Sequence, residues 1–315
     1  MPRSPPSPTS SASSFEDDED DDDSVNARLS PCWDDHRALL NCHGYLLDTV
    51  EEVRQFYLSW GRIPDYFLRK HAGDRNDALC PDPGLRDNLF RGRACDGTRV
   101  VIKAVHSLSR ELAVIRFLST PPCRDDPRNH CIPVLDLIEA ADISFVVMEQ
   151  WSSQLIDDDG PCCLRLFLAA IRQCIEHIAF MHLHRIAHLD ISLRNLLTDY
   201  KGNYAVIDYE LSRRCGPDDQ VMCIRDFRST EIPPECEHGE CLDPFKADIW
   251  ALAIFIIRAS KLAGYSIPQL VPLTTAMLAT TPQDRPTTAQ VITRYDEISS
   301  SIQDLEQLPA AHRTY

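Results

Sequence analysis

The chain has 315 residues, 48 acidic against 32 Lys and Arg, and a formal net charge of −16. Residues 16–23 are an unbroken run of eight acids beside one base, Arg3, so residues 1–23 carry −7 and the remaining 292 carry −9. This balance argues against nucleic acid as a partner, because phosphate binding is driven by Lys and Arg. The strongest apolar stretch, 249–257, is far shorter than the roughly 20 residues of a membrane span, and Pro, Ser and Asp occupy the place of a signal peptide's apolar segment. A hydrophobic share of 43% fits a folded body of one or two lobes. The 13 cysteines are scattered and include no C-x-x-C pair, which leads us to expect reduced thiols in cytosol or nucleus. Cys236, His238 and Cys241 come nearest to a metal cluster but lack a convincing fourth ligand.

Residues 1–30 pair a Pro/Ser-rich start with the acid run and hold too few apolar groups to offset chain entropy, so a disordered acidic tail is expected. Residues 31–78 read as a helical extension, with apolar positions at Leu39, Leu40, Leu46, Leu47, Val50, Val53, Phe56, Tyr57 and Trp60. The polar stretch DRNDALCPDPG closes it. The period then shortens: LFRGRAC and TRVVIKAV flank Asp96-Gly97, a two-residue hairpin signal. A short helix follows over SRELAVIRFLST, with Ser107 or Ser109 as N-cap, then strands over IPVLDLIEA and ISFVVMEQ. From Cys162 the pattern is helical, in three segments. A strand-rich block (79–150) before a helix-rich block (151–308), with a tail at 309–315, predicts an α+β, bilobal fold with a cleft between the lobes.

Lys103, one of only five lysines, interrupts the apolar run Val100-Val101-Ile102. Lys in a strand is usually an edge residue or a snorkelling stem. Here Glu111, the only acid between Asp96 and Asp125, lies in the next helix, where a carboxylate can present the ammonium to phosphate oxygens. Further on, AHLDISLRNLLTD and AVIDYEL set Asp190 and Asn195 five apart and Asp208 another 13 beyond. Phosphoryl transfer needs a carboxylate for the attacking hydroxyl and oxygen ligands for magnesium, and these three residues supply both. Polar turn residues are the plainer explanation; against it, both segments sit among apolar neighbours, where an unpaired carboxylate is costly.

With these residues in place the sequence resembles the eukaryotic protein kinase superfamily over most of residues 85–300. VVIK (100–103) is similar to the lysine-strand motif, HLDISLRN (188–195) to the catalytic loop and DYE (208–210) to the metal-binding triplet. PPE (233–235), DIWALA (248–253) and DRPT (284–287) resemble three later motifs in order. RNHCIPVLD, DPFKADIW and His43-Gly44-Tyr45 resemble, more narrowly, kinase-like proteins of mushroom-forming fungi. The resemblance implies a small β-rich N-lobe, a larger helical C-lobe, and ATP and Mg2+ as cofactors. It implies that Lys103 contacts phosphates, that Glu111 holds it, that Asp190 is the catalytic base with Arg194 beside it, and that Asn195 and Asp208 ligate magnesium. Met148 would back the adenine pocket, Glu149, Gln150 and Trp151 would form the hinge, and Leu89, Val101 and Leu197 would enclose the ring. Glu235 would pair with Arg285, and Asp248 would brace the backbone at His188.

Four departures stand out. The glycine positions of the phosphate loop fall at Asp82, Gly84 and Asp87, which would aim two carboxylates at the phosphates. Leu189 replaces the Arg of His-Arg-Asp, Glu210 replaces the Gly after the metal Asp, and Lys103 to Glu111 is a short interval. An ATP-dependent protein kinase acting on an unknown protein substrate leads; the alternatives are a pseudokinase scaffold and, last, a choline- or aminoglycoside-type kinase.

Overall fold

The computed structural model describes residues 24–59, 61–153, 163–216, 229–237, 243–303 and 305. The acid run, Trp60, His238, Cys241 and the tail at 309–315 lie outside the described residues.

The N-terminal half is built on a five-stranded antiparallel sheet in the order β1-β2-β3-β5-β4. In chain order the elements are α1 (Trp33–Cys42), β1 (Tyr45–Leu47), α2 (Val50–Ser59), α3 (Asp65–Lys70), β2 (Leu89–Ala94), β3 (Arg99–His106), α4 (Arg110–Ser119), β4 (Val134–Ala140) and β5 (Ile143–Glu149). One face of the sheet is apolar: Phe90, Val100, Ile102, Ala104, Phe145 and Val147 pack with Trp33 and Leu40 of α1. Alternating β-branched and aromatic residues on β3 and β5 supply that face, as period-two patterning requires.

The helical expectation for 31–78 needs correcting at its centre. Tyr45, Leu46 and Leu47 form an edge strand on β2, paired Tyr45↔Ala94, Leu46↔Arg93 and Leu47↔Gly92. Leu46 and Leu47 therefore point to opposite faces of a sheet, half exposed and buried respectively. Gly92 permits this approach, because a Cβ there would collide with the Leu46 carbonyl. The β2–β3 connection also differs from a two-residue turn. It spans 95–98, with Gly97 left-handed (φ 89°) and the Asp96 side chain accepting the Thr98 N–H at 2.9 Å.

The C-terminal half comprises α5 (Leu164–Leu183), β6 (Ile186–Ala187), β7 (Leu196–Thr198), β8 (Tyr204–Val206), β9 (Arg213–Arg214), α6 (Pro234–Glu237), α7 (Pro244–Leu262), α8 (Val271–Met277) and α9 (Thr288–Ser301). Asp243 caps α7 with Pro244 at its first turn, and Thr287 with Gln290 forms a capping box on α9. Helix α5 is long and apolar enough to cross a membrane by length and composition. More than half of it is buried, however, and Phe167, Leu168, Ile171, Ile175 and Ile178 pack in the main core with α7 and α9. The ten described cysteines are free thiols.

Candidate active site

Between the halves lies a cavity of about 310 Å3. Its wall contains twelve of the thirteen cleft residues singled out from the sequence: Leu89, Val101, Lys103, Glu111, Met148, Glu149, Gln150, Trp151, Arg194, Asn195, Leu197 and Asp208. Leu89, Val101, Met148 and Leu197 give it an apolar slot, while the charged groups gather at one end. The thirteenth residue, Asp190, lies next to that end, tied to Asn195.

The charged end is held by buried contacts. Ser109 caps α4 through its hydroxyl (Leu112 N–H, 3.2 Å), so Glu111 falls in the first turn and faces β3. The Lys103 ammonium donates to Glu111 Oε1 at 2.5 Å and to Asp208 Oδ1 at 3.0 Å. Burial alone would push the Lys103 pKa down; the two carboxylates outweigh it and hold the group protonated. Burial likewise pushes the Glu111 carboxyl up, against the pull of Lys103. For Asp208 burial is again opposed, and Lys103 with Arg86 brings its carboxyl below the usual range.

The floor is a backbone brace. Asp248 of α7 accepts the N–H groups of His188 and Leu189, each at 2.8 Å, and lies 2.8 Å from His182 Nε2. Leu189 (φ 66°) and Asp208 (φ 68°) both adopt left-handed backbone, which non-glycine residues occupy only where their surroundings enforce it. At Leu189 the enforcing group is Asp248. Asn195 donates from Nδ2 to the Asp190 backbone carbonyl (2.8 Å) and carboxylate (2.9 Å), fixing both side chains and leaving its Oδ1 as the atom able to serve a cation. Asp190 Oδ1 also accepts the Thr230 N–H at 2.9 Å. Beneath the site, Arg285 makes a fully buried two-bond pair with Glu235 (2.7 and 2.6 Å).

The roof departs from expectation. Neither Asp82 nor Asp87 aims a carboxylate into the cavity. Asp82 turns back to accept the Gly84 N–H (2.7 Å) and to pair with Arg91 (2.9 Å), because that local ring satisfies it at a tight turn. Asp87 contributes its backbone carbonyl to Trp33 Nε1 at 2.9 Å. The group that does enter is Arg86, whose guanidinium lies 3.2 Å from Asp208 Oδ2 and 3.8 Å from Glu210. Arg28 also reaches Glu210 (2.7 Å), and the Asn26 side chain accepts the Arg110 N–H at the start of α4 (2.9 Å). Residues 24–29, expected to belong to a disordered tail, are thus docked beside the site. No sequence signal pointed to Arg86, Trp33 or Arg28.

Comparison with known proteins agrees with this geometry. The protein kinase domain family matches residues 127–261. CBL-interacting serine/threonine-protein kinase 16 of Arabidopsis thaliana is 27% identical over 193 residues, 57% of this chain and 37% of that protein. Putative sperm motility kinase W of Mus musculus is 26% identical over 173 residues (51% and 34%), and CBL-interacting serine/threonine-protein kinase 13 of Arabidopsis thaliana 25% over 213 (59% and 41%). The matched part of the chain spans about two fifths or less of these relatives' length. The fold is α+β and kinase-like, in agreement with the protein kinase domain match over residues 127–261.

Proposed function

We propose that the chain is an ATP- and Mg2+-dependent protein kinase, transferring the γ-phosphate of ATP to a protein hydroxyl. The observation that carries the reading is the buried triangle of Lys103, Glu111 and Asp208, set against Asn195 and Asp190. The residues suit the cofactors: an apolar slot for a flat ring, an ammonium for phosphate oxygens, and side-chain oxygens for a hard cation.

When bound, Mg·ATP supplies the phosphoryl group and its charge neutralisation. Lys103, fixed by Glu111, would hold phosphate oxygens by charge-assisted hydrogen bonds. Asp190 would orient the substrate hydroxyl and accept its proton, with Asn195 keeping the carboxylate aimed. Asp208 and the Asn195 Oδ1 would offer the metal its oxygens. Arg194, exposed at the cavity mouth, stands where tyrosine kinases carry Arg and would steady the phosphate during transfer. Substrates would be proteins of cytosol or nucleus, without nucleic acid or membrane partners. Kinship with kinase-like proteins of mushroom-forming fungi rests on RNHCIPVLD and DPFKADIW.

The test is label transfer from ATP to generic protein and peptide acceptors by purified protein, beside Asp190→Asn. Activity should require magnesium and fall at least about a hundredfold in the variant. Equal labelling by both would remove Asp190 from the mechanism. A second reading, a pseudokinase scaffold, is favoured by one observation: both reactive carboxylates are already engaged, Asp208 by Arg86 and Asp190 by the Thr230 N–H. Transfer absent from parent and variant alike would select it.

A further inference from the structure

In the segment where protein kinases carry their glycine-rich loop, this chain has a closed turn. The Asp82 carboxylate holds the Gly84 N–H at 2.7 Å, Leu85 N–H bonds the Asp82 carbonyl at 3.0 Å, and Leu89 N–H bonds the Arg86 carbonyl at 2.9 Å. From behind, Trp33 Nε1 holds the Asp87 carbonyl at 2.9 Å, and the Trp33 ring is itself packed against Phe90 and Phe145. Several loop N–H groups are thereby spent inside the protein. A loop of this kind cannot cradle phosphates with backbone amides as a glycine loop does.

What the turn offers is a side chain. Arg86 projects into the charged end of the cavity, 3.2 Å from the free side of Asp208, whose other oxygen is on Lys103. Two cations therefore flank the Asp208 carboxylate, and Arg86, about half exposed, can turn to an arriving anion. A guanidinium presents paired N–H donors that match phosphate oxygens.

We propose that Arg86 is a phosphate-binding residue of this cleft, presented by the Trp33-pinned turn, and that it replaces the loop amides and part of the charge neutralisation a divalent cation gives. The inference rests on the nucleotide reading of the cleft and reverses the expectation drawn from Asp82 and Asp87. Nucleotide affinity becomes less dependent on magnesium than in a cleft lined by glycine amides.

The experiment is calorimetric titration of the full chain, Arg86→Ala and Arg86→Lys with ATP and with adenosine, each with magnesium and with EDTA. Melting temperatures serve as the control on folding. The parent should bind ATP with and without magnesium within about tenfold. Arg86→Ala should lose ATP affinity by about tenfold or more in EDTA and less with magnesium, adenosine affinity should hold, and Arg86→Lys should recover part of the loss. Three results overturn the proposal. Unchanged ATP affinity in Arg86→Ala makes the residue a surface cation while leaving the kinase reading intact. Tighter ATP binding in magnesium makes it a plug that competes with the metal for Asp208. Equal loss of ATP and adenosine makes its role structural. A parent that binds neither ligand under any condition sinks the nucleotide reading itself, and this proposal with it.

Discussion

The floor and the roof of the cavity are held by ion pairs of opposite kinds. In the floor, Glu235 and Arg285 are buried to 2% and 0% exposure, and Asp248 at 0% carries two backbone amides and His182. In the roof, Arg86, Arg28 and Arg91 are 39–52% exposed and their partners partly so. A buried charge that loses its partner has no water to turn to, whereas an exposed one does. The floor is therefore a stability element that fixes geometry, and the roof an adjustable one whose cations remain available to a ligand.

Breaking the floor should give the largest effect. Glu235→Ala leaves Arg285 buried without its carboxylate and should cost about 3–5 kcal/mol, read as a drop in the denaturant midpoint. An unaltered midpoint would mean that the Arg285 bonds to the Ala279 and Lys246 carbonyls (2.9 and 3.0 Å) suffice alone.

Lys103→Met comes next and joins the two regions. Lys103 is buried between Glu111 and Asp208, so the substitution strands two carboxylates and removes the phosphate contact together. The cost should approach about 3 kcal/mol, moderated because Asp208 retains Arg86 and Glu111 can protonate. Urea denaturation at pH 7 measures it. A neutral result would show that the carboxylates escape to solvent when the lysine goes.

The contrast between floor and roof also governs what the sequence reveals. Asp190, Asn195 and Asp208 lie within 19 residues, and their residue types among apolar neighbours suggested the chemistry. Glu235, Asp248 and Arg285 stood out only through the resemblance of PPE, DIWALA and DRPT to kinase motifs. The roof was opaque because it joins distant segments: Trp33 with Asp87, Arg28 with Glu210, β1 with β2 across 41 intervening residues. Tyr45, Leu46 and Leu47 carried apolar spacing that helix and strand share over so short a run, and only pairing with Gly92 decided it. Asp82 misled because a carboxylate two residues before a glycine N–H satisfies itself locally, which spacing does not disclose.

The pH response separates the regions again. Burial pushes the His177 pKa well below that of a free imidazole, and burial lowers that of His188 as well. Both rings are neutral in the folded floor, while in the unfolded chain they protonate near pH 6.5. Stability is thus complete above about pH 7 and falls as the pH drops through 6.5 toward the lowered folded values, because the unfolded state gains the protons. The loss should appear as a lower denaturant midpoint at pH 5.5 than at pH 7. His188→Gln should flatten that slope; an unchanged slope would assign it to other groups.

The smallest effect belongs to the roof's outermost strap. Residues 24–29 give α4 an Asn26 side-chain acceptor at the Arg110 N–H and give Glu210 the Arg28 guanidinium. A side-chain acceptor at a helix N-terminus is worth about 1 kcal/mol, and an exposed pair such as Arg28–Glu210 at most about that. Comparing a chain shortened by residues 1–23 with one shortened by 1–29 isolates the strap, since both lack the acid run. The second truncation should melt slightly lower than the first, by an amount that corresponds to about 1 kcal/mol. Because the strap adjoins the N-terminal turn that carries Glu111, removing it should also raise amide hydrogen exchange across α4 and spare α7. Loosening of both helices alike would show that the strap supports the whole molecule. No loosening of either would reduce Asn26 and Arg28 to surface contacts.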